Sequence, residues 1–114
     1  MVEITSLEQW NDQISKNKVT VAKFYTTWCP DCHRIDPFMP EVEEAYEGKI
    51  AFISIDRDKF EELGQQLDVF GIPSFIAFQG GKELIRFVSR QGKTRQEIER
   101  FLDRVLQVSQ ALEQ

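Results

Sequence analysis

Val19 to Thr27 (VTVAKFYTT) sets the architecture this chain is able to reach. β-Branched and aromatic residues follow one another with little polar alternation, the pattern of a strand covered on both faces. Such a strand needs helices above and below its sheet, and the flanking segments supply them. Ser6 and Gln9 have capping-box spacing, and Leu7, Trp10 and Ile14 recur at helical spacing, so a helix is predicted over 7–16. Pro30 suits the first turn of a second helix, running to Tyr46 and closed by Gly48. Pro37 and Pro40 fall inside it, so it must kink or split. Ile50 to Ile55 (IAFISI) is a second strand, and Lys59 to Leu67 a helix introduced by Asp56 and Asp58. Ser74 to Phe78 and Glu83 to Val88, joined by Gly80-Gly81, form a hairpin. Thr94 and Glu97 make a capping box for a last helix carrying Ile98, Phe101, Leu102, Val105 and Val108. A short first strand is expected at Val2 to Thr5. The fold class is α/β, with helices on both faces of a central sheet. One domain is expected over residues 1–109, with 110–114 a short tail. Phe38, Phe52, Phe60, Phe70, Phe75 and Phe78 are assigned to the core.

Charge and composition remove several functions. The 114 residues carry a formal net charge of −5, so the summed field repels polyanions and argues against nucleic acid or anionic lipid as a partner. No apolar run approaches the length a transmembrane helix needs. Glu3 and Glu8 stand in the first ten residues without an apolar stretch of the signal type, so a reduced, cytoplasmic setting is expected. Two cysteines rule out a disulfide scaffold.

Those two cysteines lie in Trp28-Cys29-Pro30-Asp31-Cys32, between the buried strand and a helix start. A helix N-terminus offers unsatisfied N–H groups and the positive end of its dipole, both of which stabilise a thiolate. Cys29, at the helix end, is therefore expected to be exposed and nucleophilic. Cys32, one turn inside, is expected to be more shielded and placed to resolve a mixed disulfide.

The run Phe24-Tyr25-Thr26-Thr27-Trp28-Cys29-Pro30-Asp31-Cys32, then Pro37, then Gly71-Ile72-Pro73-Ser74-Phe75, resembles the thioredoxin superfamily. The resemblance covers about Ile4 to Val108. A C-x-x-C pair in a β-α-β setting, followed some forty residues later by G-I-P and a hairpin, is its specific part. The W-C-P-D-C form also resembles a group of thioredoxin-related cytosolic reductases. The resemblance implies a thioredoxin fold with a mixed sheet, and a thiol–disulfide oxidoreductase whose only redox group is the Cys29–Cys32 pair, with no added cofactor. It implies a cis Ile72–Pro73 bond facing the dithiol and a contact surface made of Trp28, Pro30, Asp31, Ile72, Pro73 and Arg90. It also implies disulfide-containing protein substrates, a reductase or low-molecular-weight thiol as electron donor, and a monomer.

The chain departs from the family pattern at four places. Lys23 stands where a buried carboxylate is usual, and Phe52 where its lysine partner is usual. Asp31 replaces the proline before the second cysteine, and Ser89 or Arg90 replaces a glycine facing the dithiol. Cations at Lys23 and Arg90 favour thiolates and a more oxidising pair, whereas Asp31 favours the protonated thiols. Lys23 either tunes Cys32, acting as an amine base if burial strips its charge, or snorkels to the sheet edge or pairs with a carboxylate such as Asp56. His33 is either a plain surface residue or a tuning charge beside Cys29.

Other chemistries fit the residues less well. Cys29-x-x-Cys32-His33 matches the covalent haem pattern, but the β-rich setting favours the redox motif. Structural zinc needs four ligands, and only Cys29, Cys32 and His33 are at hand, so no metal is expected; an iron–sulfur cluster meets the same objection. A redox-sensing or docking module with little turnover, and a glutathione-linked oxidoreductase, remain as alternatives.

Overall fold

The computed structural model describes residues 1–113. The elements in chain order are β1 (Val2–Glu3), α1 (Leu7–Ile14), β2 (Val19–Tyr25), α2 (Pro30–Ile35), α3 (Met39–Ala45), β3 (Ile50–Asp56), α4 (Glu61–Gln66), β4 (Ser74–Gln79), β5 (Lys82–Phe87) and α5 (Arg95–Leu112). The five strands form one sheet in the order β1-β3-β2-β4-β5. β1, β3 and β2 run parallel, while β4 is antiparallel to both β2 and β5. β2 is thus paired on both edges, which its apolar sequence anticipates.

Alternation along the strands divides the core in two. Val19 and Val21 of β2 join Phe52, Phe75 and Ala77 beneath α3 and α5, where Met39, Val42, Ile98, Phe101, Leu102 and Val105 cover them. Ala22 and Phe24 point the other way and join Trp10 of α1, Ile53, Ile55, Ile76 and Phe78. Cys29 and Cys32 belong to this second cluster. Trp10 meets Phe24 and Phe78 edge to face, with ring centroids 5.7 and 5.4 Å apart.

Several boundaries differ from the sequence reading, each for a local reason. The helix after Cys29 splits into α2 and α3, because Pro37 lies in the break and Pro40 takes a first-turn place in α3. α4 starts later than predicted: the Asp56 carboxylate accepts the Asp58 N–H at 2.9 Å, and residues 57–60 form a turn. At α1 the Ser6 hydroxyl accepts the Gln9 N–H, but the Gln9 side chain reaches the Thr5 N–H, at 2.7 Å, instead of completing the box on Ser6. The box at Thr94 and Glu97 is complete. α5 continues to Leu112, so residues 110–112 are helix where a tail was expected; Gln114 lies outside the described residues. Gly80 and Gly81 both have positive φ, 60° and 82°, as a two-residue hairpin turn requires.

Candidate functional site

β2 ends at Tyr25, and four residues, Thr26 to Cys29, carry the chain over the sheet's C-terminal edge to α2. Cys29 is the N-cap of α2, and its sulfur accepts the Cys32 N–H at 3.1 Å, one of the donors a helix start leaves unpaired. On its other side, Cys29 Sγ lies 3.9 Å from the Ile72 carbonyl. The Ile72–Pro73 bond is cis, as the family resemblance implies. The pair and the segment 71–73 thus face each other across the edge of the sheet.

The expectation that Cys29 is exposed is corrected. Cys29 is 4% exposed and Cys32 3%, so the two do not differ in burial. They differ in what surrounds them. Burial pushes the Cys32 thiol up to about 12, helped by its hydrogen bond with Cys29, against the Thr26 N–H and the Lys23 charge, which pull it down. Cys32 therefore holds its proton at neutral pH. Cys29 has the Cys32 N–H of the first helical turn directed at its sulfur.

Trp28 is 63% exposed, and its indole N–H donates to Asp58 Oδ2 at 2.7 Å, which fixes the ring beside the pair. Pro30 occupies the first helical turn, exposed. Asp31 accepts from Arg34 Nη1 at 2.5 Å, so its charge is shared across one turn of α2. His33 is exposed and bridges Thr27 O, at 2.7 Å, and Asp36 Oδ2, at 3.3 Å. The Thr27 carbonyl first, and Asp36 second, raise the imidazole above its usual range.

Lys23 lies on the same face of β2 as Val19 and Val21, opposite the cluster that holds the cysteines. Its Nζ is 3.8 Å from Asp36 Oδ1 and 5.3 Å from the centre of the Tyr25 ring. The carboxylate it reaches is Asp36, not Asp56. Phe52, opposite Val21 in the β2–β3 register, is buried in the core. Arg90 is exposed and stacks over Phe70 at 5.7 Å. Phe70 itself is 57% exposed, which corrects its assignment to the core. Ile72 and Pro73, by contrast, are buried. Among the described residues, no three His, Cys, Asp or Glu side chains gather to hold a metal ion. No helix among them is long and apolar enough to cross a membrane.

Two residues at the site were not singled out in the sequence. Thr26 is fully buried, and its hydroxyl has no hydrogen-bond partner among the described residues, although its N–H faces Cys32. Thr26→Val replaces that hydroxyl by a methyl group and is expected to raise the unfolding free energy by about 1 kcal/mol, read from urea denaturation. A drop in stability would mean that the hydroxyl has a partner. The second residue is Lys93, taken up below.

A dithiol at a helix start, facing a cis-proline loop on a mixed sheet with helices on both faces, defines a thiol–disulfide oxidoreductase of the thioredoxin fold. The thioredoxin family model matches residues 1–104, and the chain belongs to that family. It is 36% identical over 91 residues to mitochondrial thioredoxin-2 of Schizosaccharomyces pombe, covering 80% of this chain and 68% of that protein. It is 30% identical over 92 residues to a bifunctional thioredoxin reductase/thioredoxin of Mycobacterium leprae, covering 81% of this chain and 20% of that longer protein. Among solved structures, thioredoxin from Trypanosoma brucei brucei superposes with a TM-score of 0.82 at 24% identity, over 94% of this chain and 91% of that one.

Proposed function

We propose that the chain reduces disulfides in protein substrates, with Cys29 as the attacking thiol and Cys32 as the resolving one. The Cys29 thiolate attacks one sulfur of the target disulfide, and the other target sulfur leaves as a thiolate that takes up a proton. Cys32 then attacks Cys29 Sγ, and its proton passes to the second target sulfur as the bond between that sulfur and Cys29 breaks. The second target thiol is released, and the Cys29–Cys32 disulfide holds the oxidation the target has lost. The observation that carries this reading is the contrast within the pair: Cys29 Sγ accepts the Cys32 N–H at 3.1 Å, while Cys32 is held as a thiol by burial. Cys32 thus waits until the mixed disulfide forms.

Trp28, Pro30, Asp31, Ile72, Pro73 and Arg90 form the substrate contact surface in this proposal, with Phe70 added by its exposure. An extended target segment lies along Ile72–Pro73, which brings its disulfide to Cys29. A reductase or a low-molecular-weight thiol returns the electrons; the name of the mycobacterial relative supports the first. The working form is a monomer in a reducing compartment such as the cytoplasm.

The test is a titration of the purified chain against glutathione buffers, read by tryptophan fluorescence with Trp28 beside the pair. A single two-electron transition is expected. A pair that stays reduced across the whole range overturns the reading.

Lys23 tunes the couple within this proposal. Its charge favours the reduced pair when that pair carries a single thiolate, although Asp36 shares the charge at 3.8 Å. Lys23→Met is expected to lower the reduction potential by roughly 30 mV at most, the equivalent of about 1.4 kcal/mol. An unchanged potential would assign Lys23 to the Asp36 contact alone.

A further inference from the structure

Lys93 is a buried cation that the disulfide chemistry above does not use. It precedes Thr94, the N-cap of α5, and is 7% exposed. Its Nζ lies 5.0 Å from the centre of the Phe87 ring. It donates to the Ser89 hydroxyl at 3.1 Å, the Gln91 carbonyl at 3.2 Å and the Ser89 carbonyl at 3.4 Å. An ammonium group has three N–H donors, and three acceptors surround this one. A neutral amine would turn a lone pair towards one of those oxygens. Burial draws Lys93 below the ordinary lysine range, while Glu97, Cys32, Asp31 and Cys29 oppose that fall.

The loop gathered by Lys93 touches both sides of the dithiol. A Cβ on Gly71 would come within 2.1 Å of the Ser89 carbonyl oxygen, so the two backbones are in direct contact. Gly71 leads into Ile72, whose carbonyl faces Cys29 Sγ. At the other end, a Cβ on Gly92 would meet Asp31 Oδ1 at 3.1 Å. Residues 89–92 therefore join the proline side of the site to the cysteine side, and one ammonium group holds their shape.

We propose that Lys93 is a positioning residue for the dithiol: its ammonium ties residues 89–92 against Gly71 and Asp31 and fixes a buried positive charge within the loop that joins the two sides of the pair. The proposal rests on the redox reading of that pair. A fixed cation favours thiolate over disulfide and so stabilises the reduced form. In the exchange that measures this, the Cys29–Cys32 disulfide and two glutathione thiols give the dithiol and one glutathione disulfide. Two electrons and two protons pass to the protein.

The test compares the full chain with Lys93→Met, Lys93→Gln and Lys93→Arg in glutathione buffers, with urea unfolding followed in parallel. Met keeps the stem against Phe87 and removes the donors, Gln keeps two donors without the charge, and Arg keeps the charge. Lys93→Met is expected to move the equilibrium about tenfold towards the disulfide, or ~30 mV lower in potential. Lys93→Gln should move it in the same direction, and it carries the test if the Met variant does not fold. Lys93→Arg should restore most of the original value. Equilibria unchanged in the folded Met and Gln variants overturn the proposal, and so does a fall in the urea midpoint without a redox shift, the result of a purely structural lysine. If the unaltered chain gives no two-electron transition, the redox reading fails, and the Lys93 proposal with it.

Discussion

Cys29→Ser is expected to abolish disulfide reduction, by about three orders of magnitude or more, because a serine hydroxyl is not ionised at neutral pH and cannot attack a disulfide sulfur. Cys32→Ser is expected to fail at a different step. The attack by Cys29 still occurs, no second thiol resolves it, and the chain accumulates as a mixed disulfide with its target. Non-reducing electrophoresis after incubation with a disulfide-bonded protein separates the two outcomes. The same asymmetry is testable without mutation. Iodoacetamide at pH 7 should label Cys29 before Cys32, since Cys32 is pushed up to about 12. Both sulfurs are nearly buried, so labelling should be slower than for a free thiol of equal basicity. Adducts trapped by Cys29→Ser in place of Cys32→Ser, or faster labelling of Cys32, would reverse the two roles.

Gly71→Ala is expected to destabilise the fold by about 3 kcal/mol and to slow substrate exchange in the protein that remains folded. The added methyl carbon would lie 2.1 Å from the Ser89 carbonyl oxygen, 2.4 Å from its carbon and 2.7 Å from the Arg90 nitrogen. These are backbone atoms, so no side-chain rotation relieves the overlap. The 71–73 segment or the 89–92 segment must move, and either shift alters the approach to Cys29. Urea denaturation reads the first effect and the rate of disulfide reduction the second. An unfolding free energy within about 0.5 kcal/mol of the original would show that the loops separate easily.

The parts of the fold that were legible are those decided by near neighbours in the chain. The unbroken apolar run of β2, the two glycines of the hairpin turn and the Thr94 box each act over a few residues. Pro37 and Pro40 announced the break between α2 and α3 because proline removes helix bonds locally. The cysteine pair was legible for the same reason: its spacing and its place at a strand-to-helix junction are local facts.

What was hidden depends on distant segments. Cys29 sits at a helix end, where exposure is the natural expectation, but the Ile72 carbonyl approaches it across the sheet edge. Phe70 and Phe75 look alike in sequence, yet Phe75 lies on a central strand and Phe70 at the surface two residues before the cis bond. Gly71 entered the sequence reading only as part of the Gly71-Ile72-Pro73 run; it is glycine because the Ser89 backbone leaves no room for a side chain. Lys93 reads as an ordinary lysine before a capping box, because its acceptors are two carbonyls and a hydroxyl with no pattern of their own.

Because Cys29 and Cys32 are packed with Trp10, Ala22, Ile53 and Ile76, folding and oxidation form a closed thermodynamic cycle. The free-energy difference between unfolding the oxidised and the reduced chain equals the difference between the redox free energies of the folded and unfolded forms. A substitution that moves the folded potential by 30 mV, with the unfolded chain unaffected, must therefore change the difference between the two unfolding free energies by about 1.4 kcal/mol. Melting curves of the two forms become an independent voltmeter for this site. They also bring selection on redox poise and selection on thermal endurance to bear on the same few side chains.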